Sequence, residues 1–500
     1  MIEVFLAILA LFFLGGTLIA ILSRKLVGKG FEEFVIGGYR VGGFLSAMTY
    51  AATTYSAFMM VGLVGLAYAT GVAALGFELV YLASTIGILS TIGATVWVKA
   101  RERKWVTPSQ MIGELYSSKI FAATIAVLYL VALIPYLAAQ LKGIGEIFVA
   151  LGLGYEVGVV VAFVAIFIWI AIAGLWSVAT TDAFQGLWMI TASIGVITWA
   201  LAYLLPSAGV DLEKTLGILL NARTLDSRTT NLLSFTWSIS MFIGMSIPWI
   251  FFALTNPQVV QRLYIPRDIK AYKRMVTYFA IYGFTYTLIC VALGLAFRTY
   301  VAIAYPEIEI GLVKARDSVT PTILLKAHPI LTSVVFVSII AAAVSTADSI
   351  ALSAASAITK DLYISYARDI DERKAIIVTN IATISMLLIA LLIALSKIAY
   401  IVELSVTSSA LLLPLAPITA TGLYIEPKRK GLLYAVSSLS IGLAIAAISI
   451  ALFGPSKALS QPLALGLPSP LWTLVGSSIP MIAMVFTIRK NTTKVGRETP

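Results

Sequence analysis

Oxygen-bearing side chains are concentrated in one apolar stretch of the chain, between residues 344 and 359. They include Ser345, Thr346, Asp348 and Ser349. On a helix, residues 345 and 349 lie one turn apart and share a face, and Asp348 lies beside it. Hydroxyl and carboxylate oxygens suit a small hard cation better than a soft metal. Serine and threonine can also simply join membrane helices, but an aspartate in the membrane costs at least about 2.5–3.5 kcal/mol and usually marks an ion or proton path.

Two other apolar stretches are interrupted by small and polar residues. The first reads AATTYSAF over residues 51–58, and the second reads GMSIPW over residues 244–249 with TNP at 255–257. Transporters place binding sites at such breaks, where free backbone carbonyls can bind cations. The interrupted spans are the second and the seventh, so we expect spans 2–6 and 7–11 to form an inverted repeat. The alternative is that glycine and proline are simply frequent in membrane helices.

A further aspartate, Asp182, lies in the stretch ATTDAFQ over residues 179–185. It could cap the N-terminus of a helix. It could also face the interior of a helix bundle as a second cation ligand, and the pattern leaves both open.

Lipid must solvate most of this chain. Of its 500 residues, 60% are hydrophobic and 12% are charged, against about 25% charged in soluble domains. This composition excludes a soluble enzyme, a disordered chain and a secreted disulfide scaffold. The single cysteine, Cys290, cannot form an internal disulfide.

A helix needs about 20 apolar residues to cross roughly 30 Å of hydrocarbon, and about thirteen segments meet this requirement. The predicted spans are 2–23, 44–71, 73–98, 119–149, 154–176, 179–205, 233–256, 275–297, 330–357, 374–396, 398–424, 432–453 and 469–488. We expect a single transmembrane domain over 1–500. Its predicted parts are an extra N-terminal helix (2–23), a first repeat (44–206), a second repeat (233–424), two C-terminal helices (432–488) and a cytoplasmic tail (489–500).

Basic residues are concentrated in one alternate set of loops. This set includes Arg101, Arg262, Arg267 and Lys428 and carries most of the 35 lysines and arginines. Because such residues favour the cytoplasmic side, we expect the N-terminus outside and the C-terminus inside the cell membrane. The same placement explains the net charge of +11 without a nucleic-acid partner. The long outside connections 206–232 and 298–329 are external caps or gates, or surface loops without a role.

The sequence offers little for other functions. It contains no GxxxxGK[ST] motif for ATP-driven transport. It also contains no metal-ligating cluster or nucleophile–base pair, so we expect no enzyme.

Several stretches together resemble the sodium:solute symporter family, which includes sodium–proline, sodium–pantothenate, sodium–sialic acid and sodium–glucose carriers. The resemblance covers about residues 2–490. It is carried by FVIGGYR (34–40), residues 56–71, TTDAFQ (180–185), residues 256–262 and AAAVSTADSIALSAASAITKDLY (341–363). It implies an all-α polytopic membrane protein with a leucine-transporter-like fold of inverted five-plus-five helix repeats.

The resemblance also implies a sodium site between the broken first core helix and the eighth. Ala52, Tyr55 and Ala342 would supply backbone carbonyls, and Ser345 and Thr346 would supply hydroxyls. Five mostly neutral oxygens suit a weakly held monovalent ion that must be released inside.

Some family members bind a second sodium ion through an aspartate that matches Asp182 and hydroxyls that match Ser345 and Ser349. Here Asp348 is an additional carboxylate. It could strengthen a second site or hold a proton, which leaves the sodium stoichiometry open.

The resemblance places the substrate between core helices 1, 3, 6 and 10. Tyr136 and Trp249 match aromatic positions of the proline carrier, and Phe58 replaces a tryptophan. Ala253 and Thr54 depart from an aromatic and an acidic residue, which argues against proline itself. The full predicted set is Thr54, Ser56, Phe58, Tyr136, Gln140, Trp249 and Ala253. The alternative for the aromatic residues is ordinary helix packing.

Other charged residues lie within the predicted spans. Lys142 and Glu146 are four residues apart, which fits an ion pair along one helix; alternatively, Lys142 attracts an anionic substrate. Glu78 and Glu403 lie near outer span ends, and we expect them at the membrane interface.

We therefore expect a sodium-coupled secondary active symporter that imports a small organic solute, such as an amino acid, a pantothenate-like carboxylate or a sugar. Sodium would be its only cofactor, and the bilayer and the solute its partners, with no obligate protein partner. The alternatives are a proton-coupled symporter that uses Asp182 or Asp348, and a solute sensor or channel of the same fold that does not accumulate solute.

Overall fold

Almost every apolar stretch of the chain is helical, because in lipid each backbone amide and carbonyl must be bonded within the protein. The computed structural model describes residues 1–26, 31–172, 175–226, 228–366, 372–455 and 457–495. Within these ranges, two short antiparallel hairpins accompany the helices. They pair β1 (Ala222–Arg223) with β2 (Thr229–Thr230) and β3 (Pro462–Ala464) with β4 (Leu467–Pro468).

In the first half of the chain, the described residues form the α-helices α1 to α13. They are α1 (Ile2–Ser23), α2 (Phe31–Ile36), α3 (Gly43–Thr54), α4 (Val64–Thr70), α5 (Ala73–Ile88), α6 (Ala94–Arg103), α7 (Pro108–Leu115), α8 (Lys119–Ala132), α9 (Ile134–Ala150), α10 (Tyr155–Ile172), α11 (Leu175–Trp199), α12 (Leu205–Ser207) and α13 (Leu212–Leu220). Three π-helical segments continue neighbouring helices, at Phe58–Leu63, Leu89–Gly93 and Ala200–Leu204.

The second half contains longer helices. They are α14 (Ile239–Ile250), α15 (Phe252–Thr255), α16 (Pro257–Tyr264), α17 (Ile269–Ala304), α18 (Glu309–Lys314), α19 (Val319–Leu324), α20 (Pro329–Ile358), α21 (Glu372–Ser396), α22 (Ile401–Leu412), α23 (Leu415–Ile425), α24 (Leu432–Phe453) and α25 (Ser469–Val495). A π-helical segment, Thr359–Ile364, extends α20, and 3-10 turns lie at Arg24–Leu26, Gly37–Tyr39, Arg316–Ser318 and Lys428–Gly431.

The number of spans agrees with a polytopic membrane protein. Within the described ranges, 10 helices are long and apolar enough to cross a membrane, and two bent pairs raise this number to 12. A shorter apolar helix covers Tyr155–Phe167, within the predicted span 154–176. The end of that span at 173–174 and the tail residues 496–500 lie outside the described residues. The exact count of thirteen stays a prediction.

The helix breaks occur in, or a few residues after, the stretches that the sequence predicts. The segments Gly43–Thr54 and Phe58–Thr70 are bent by 52°, and Tyr55 leaves the helix with φ −89° and ψ 98°. The seventh span is interrupted at Phe251 and again at Asn256. The interruptions within 51–58 and 255–257 are confirmed, whereas residues 244–249 lie inside α14, which ends only at Ile250. The inverted symmetry between the two halves stays a prediction.

Several predicted span boundaries differ from the structure, and two spans differ markedly at both ends. The predicted span 233–256 begins later, at Ile239, and continues through α16 to Tyr264, because Pro257 starts a new helix at its first position. The predicted span 275–297 is the central part of the 36-residue α17, whose polar first turn is capped by Asp268. A prediction from hydropathy alone leaves such polar turns out of the span, although they belong to the same helix.

Among the 10 described helices that are long and apolar enough to cross a membrane, the one that contains α20 is the most buried, with 83% of its most apolar 18-residue window inside the protein. It packs against α1, α3, α9, α11 and α16. Its many alanines and serines allow close approach of the neighbouring backbones. The predicted hydroxyl cluster therefore lies at the centre of the bundle, next to the break after α3.

Candidate functional site

The hydroxyls of α20 meet the backbone at the end of α3. Ser345 Oγ donates to the carbonyl oxygen of Ala52 at 3.0 Å, and Thr346 Oγ1 donates to the same oxygen at 3.1 Å. Ser345 Oγ also lies 3.1 Å from the carbonyl oxygen of Ala342. The structure thus brings together four of the five residues predicted to bind sodium, and the fifth, Tyr55, lies in the break three residues after Ala52.

The break explains why this carbonyl is available. In an uninterrupted helix, Ala52 would accept a hydrogen bond from the amide of Ser56. The helix ends at Thr54, and Tyr55 adopts an extended conformation. The carbonyl of Ala52 therefore faces the side chains of α20, and this cluster of neutral oxygens could bind a monovalent cation.

Asp182 lies in the interior of the bundle. It is inside α11, which begins at Leu175, so the helix-cap alternative is wrong. Its Oδ2 accepts a hydrogen bond from Thr49 Oγ1 at 2.5 Å, and its Oδ1 has no hydrogen-bond partner among the described residues. Nearby on α20, Ser349 Oγ lies 2.8 Å from Thr53 Oγ1. The residues predicted for a second cation therefore lie close to α3, but their role as ligands stays a prediction.

Asp348 precedes Ser349 on α20 and is also buried. Its Oδ1 has no hydrogen-bond partner in the described part of the chain. A buried carboxylate oxygen without a partner is unfavourable, so a proton or a cation bound at this side chain would stabilise it.

Arg262 is buried beside these groups, and the prediction that it lies in a loop is wrong. Its side chain is 0% exposed. Its Nε donates to Thr49 Oγ1 at 3.1 Å and its Nη2 donates to Ser349 Oγ at 2.8 Å. The signal that could have located it is the helix start at Pro257, since the polar residues that follow it belong to a helix inside the bundle.

The predicted aromatic residues form one cluster. The ring centroids of Phe58 and Trp249 are 5.1 Å apart. Trp249 also stacks on Phe252 at 5.0 Å and contacts Tyr81 edge-on at 4.9 Å. Sequence reasoning missed Phe252, Tyr81 and Phe77. Phe252 precedes the predicted Ala253, which is itself buried. The resemblance predicts an aromatic side chain at position 253, and Phe252 provides one at the neighbouring position.

The polar residues predicted for the substrate connect α9 to the break. Tyr136 donates from its hydroxyl to the carbonyl oxygen of Thr54 at 3.2 Å. Gln140 Oε1 accepts from the amide of Ala57 at 3.3 Å, and Ser56 Oγ accepts from the amide of Phe58 at 3.1 Å. The contacts of Tyr136 and Gln140 hold the irregular backbone of the second span against α9, directly beside the aromatic cluster.

Glu78 is buried within the protein rather than exposed, and its position at the membrane interface stays a prediction. It is 1% exposed on α5, one turn before Tyr81. Its Oε2 has no hydrogen-bond partner among the described residues. Sequence position near a span end gives no information on which face of the helix is covered by protein.

Lys142 does not pair with Glu146. Its Nζ lies 2.6 Å from Asp317 Oδ2, with both side chains buried. Glu146 instead accepts a hydrogen bond from Ser318 Oγ at 2.8 Å. Glu403, also predicted at the interface, forms a mostly buried ion pair with Arg316. These contacts attach the turn Arg316–Ser318 to α9 and α22.

Comparison with known proteins agrees with this fold. The model of the sodium:solute symporter family matches residues 34–426. The sodium/pantothenate symporter of Escherichia coli (strain K12) is 26% identical over 174 residues, 35% of this chain and 36% of that protein. This match spans only about a third of the relative. The osmoregulated proline transporter OpuE of Bacillus subtilis (strain 168) is 23% identical over 386 residues, 75% of this chain and 74% of that protein.

The fold also matches a solved structure over nearly its whole length. A Na⁺-coupled sialic acid symporter in a substrate-bound, outward-open state has a TM-score of 0.72 at 17% sequence identity, and the match covers 96% of each chain. At this identity the likeness shows the fold.

Proposed function

The chain belongs to the sodium:solute symporter family, and from this we propose that it imports a small organic solute together with sodium by alternating access. It is a multi-pass membrane protein, and we propose that its N-terminus lies outside the cell membrane and its C-terminus in the cytoplasm. In this proposal residues 44–206 and 233–424 form the two inverted repeats of a core that rocks from an outward-open to an inward-open state.

The observation that carries the proposal is the meeting of Ser345 and Thr346 with the carbonyl of Ala52. Both hydroxyl oxygens lie within 3.1 Å of that carbonyl oxygen. Sodium bound there, with Tyr55 and Ala342 as further ligands, would hold the broken span against α20. Ion binding would thereby order the residues next to the substrate.

Coupling between sodium and the solute follows because both proposed sites lie at the broken second span. If sodium orders the break and so improves solute binding, the solute must raise sodium affinity by the same factor. Both ligands then favour closure around the site. The sodium gradient and the membrane potential drive import, and the potential contributes about 2.3 kcal/mol per charge per 100 mV.

The proposed substrate site lies at Thr54, Ser56, Phe58, Tyr136, Gln140, Trp249 and Ala253, extended by Phe252 and Tyr81. Trp249 and Phe58 offer aromatic faces to an apolar part of the solute. Polar groups at the break, such as Ser56, and on the adjacent α9, such as Gln140, could bind its polar part. Relatives that carry pantothenate and proline support the class of small carboxylates and amino acids, and Thr54 and Ala253 argue against proline itself.

The experiment is solute uptake into proteoliposomes with and without an inward sodium gradient. The panel consists of radiolabelled proline, pantothenate, acetate, pyruvate, sialic acid and hexoses. We expect at least one of these to accumulate only when the gradient is imposed. Equal accumulation with and without the sodium gradient contradicts sodium coupling.

A second arm tests proton coupling, which the buried carboxyls of Asp182 and Asp348 favour. Vesicles with an inward proton gradient and no sodium should show no accumulation if sodium is the coupling ion. Accumulation in this arm identifies a proton symporter. Solute-gated current without accumulation in either arm identifies a channel or sensor.

A further inference from the structure

Glu78 is a buried carboxyl group without a counter-charge. The residue is 1% exposed, and its Oε2 has no hydrogen-bond partner among the described residues. None of the ion pairs in the described part of the chain includes Glu78. Burial removes the water that would stabilise an ionised carboxylate, so the charged form needs a positive partner. Because no described side chain forms an ion pair with it, a positively charged ligand fits this position.

The neighbours of Glu78 on α5 contact the aromatic residues of the proposed substrate site. The ring centroid of Phe77, the preceding residue, lies 6.4 Å from that of Phe58 and 6.3 Å from that of Trp249. Tyr81 follows Glu78 by about one helical turn and contacts Trp249 edge-on at 4.9 Å. Glu78 lies between these two positions on the helix, so α5 places its carboxyl group at the edge of the aromatic cluster.

Glu78 also supplies an acidic group that the broken span lacks. The resemblance predicts an acidic residue on that span, where this chain has Thr54. The carboxyl of Glu78 is close enough to interact electrostatically with the hydroxyls of Tyr55 and Tyr136. Tyr136 in turn donates to the carbonyl oxygen of Thr54 at 3.2 Å. An acid on α5 thus lies near the break at which the resemblance predicts one.

Aromatic rings around a buried carboxylate favour a positively charged nitrogen, because the faces of such rings attract cations and tryptophan attracts them most strongly. Among the described residues, no cation of the protein lies over the rings of Phe58, Tyr81 or Trp249. A sugar hydroxyl can donate a hydrogen bond to Glu78 but brings no charge. A simple carboxylate such as acetate brings a like charge, and repulsion is strong in a medium of low dielectric constant.

We propose that Glu78 binds the positively charged nitrogen of the transported solute, so that the substrate is an amino acid or a related ammonium compound rather than a sugar or a simple carboxylate. This inference deepens the proposed function and rests on it. The polar remainder of the solute would meet Ser56 and Gln140. The competing account is that a bound proton keeps Glu78 neutral and that this side chain takes no part of the solute.

The test measures binding to the purified chain in detergent at saturating sodium, with pairs of compounds that differ in the charged nitrogen. The pairs are glycine betaine and tert-butylacetate, proline and cyclopentanecarboxylate, alanine and propionate, and leucine and isocaproate, with glucose as a further probe. We expect at least one nitrogen compound to bind at least about tenfold more tightly than its partner. Glu78→Gln keeps the shape and removes the charge, and should weaken the binding of that compound by at least about tenfold.

The matched control is Glu102→Gln at an exposed position of α6, which should leave the affinity within about twofold of the wild type. Sodium binding checks the fold of Glu78→Gln, since Ser345 and Thr346 are unchanged. The proposal is overturned if no nitrogen compound is preferred over its partner, or if a folded Glu78→Gln protein binds the preferred compound like the wild type, as a neutral carboxyl predicts. If Glu78→Gln does not fold, the preference of the wild type decides.

Uptake into proteoliposomes separates this inference from the proposed function. Sodium-driven uptake of glucose or of a nitrogen-free acid, with no uptake of the nitrogen compounds, overturns the role of Glu78 and leaves sodium symport intact. Binding of a nitrogen compound that depends on Glu78, without sodium-driven uptake of that compound, contradicts the proposed function and leaves the binding site intact.

Discussion

Lys142 and Asp317 form a buried ion pair with 2.6 Å between Nζ and Oδ2, although 175 residues separate them in the sequence. Lys142 also donates to the carbonyl oxygen of Ala399 at 3.0 Å, and Asp317 Oδ2 accepts from the amide of Ile401 at 3.1 Å. One carboxylate therefore joins α9, the turn Arg316–Ser318 and the start of α22. The buried ion pair thus attaches the predicted long connection 298–329 to the helix bundle.

Removing one member of this pair should be strongly destabilising. Lys142→Met leaves Asp317 as an uncompensated buried charge, and we expect a loss of about 3–5 kcal/mol in the free energy of unfolding. The double variant Lys142→Met, Asp317→Leu removes both charges and should recover most of this loss. Thermal unfolding in detergent measures the two variants against the wild type.

The control is the exposed pair of Arg267 and Asp268, whose side chains are 63% and 50% exposed. Arg267→Ala should change the stability by less than about 1 kcal/mol. If Lys142→Met is no more destabilising than Arg267→Ala, the buried pair does not hold these elements together.

The second prediction concerns the predicted sodium site. In the Ser345→Ala, Thr346→Ala double variant we expect sodium affinity to fall more than tenfold, since two ligands are removed. The carbonyl of Ala52 also loses both hydrogen-bond donors, so we expect a stability loss of about 1–3 kcal/mol. Sodium-binding titrations and thermal unfolding measure the two effects.

The matched control is Ser353→Ala. Ser353 is buried on the same helix, two turns beyond Ser345, and its hydroxyl has no hydrogen-bond partner within the described ranges. Its loss should leave sodium affinity within about twofold of the wild type, because its hydroxyl forms no hydrogen bond with Ala52, Ser345 or Thr346. An equal loss of affinity in both variants indicates a general effect of α20 rather than a site.

Local patterns in the sequence predict the elements of the site, and long-range contacts decide their partners. The motif at 341–363 identifies the hydroxyls of α20, and the polar stretch 51–58 identifies the break. The burial of Arg262 depends on how α16 continues after Pro257 and packs against α20, which hydropathy does not report. The partner of Lys142 lies in a distant turn, so spacing along one helix selects the wrong acid.

The close approach of α4 to the turn Arg316–Ser318 leads to a third prediction. A Cβ atom at Gly65 would collide with the backbone carbonyl oxygen of Arg316, and backbone cannot move aside as a flexible side chain can. Gly65→Ala should therefore displace the turn and lower the stability by about 1–3 kcal/mol. Thermal unfolding and sodium-driven uptake measure the effect.

Gly87 on α5 provides the matched control, since a Cβ there meets no atom within 4 Å. Gly87→Ala should be neutral or slightly stabilising, because alanine restricts the unfolded chain more than glycine does. Equal stability of the two alanine variants means that the turn does not need the space at Gly65.

The last prediction concerns Glu426, which follows α23 outside the predicted spans. Hydrogen bonds from Lys99 and from Arg103, the latter at 2.6 Å, lower the pKa of its carboxyl. In the folded protein the carboxylate is thus favoured relative to the unfolded chain. Its contribution to stability is complete above the ordinary glutamate pKa of about 4.3 and is lost as the pH falls through the lower pKa of the folded state.

Glu426→Gln should therefore destabilise the protein at pH about 7, and the difference from the wild type should disappear well below pH about 4. Because the side chain is 32% exposed, we expect an effect of at most about 1 kcal/mol at neutral pH. Denaturant unfolding at both pH values measures it, with the exposed Glu102 on α6 as the control position. A Glu426→Gln difference that persists at low pH would arise from packing, since the charge that attracts Lys99 and Arg103 is then absent from both proteins.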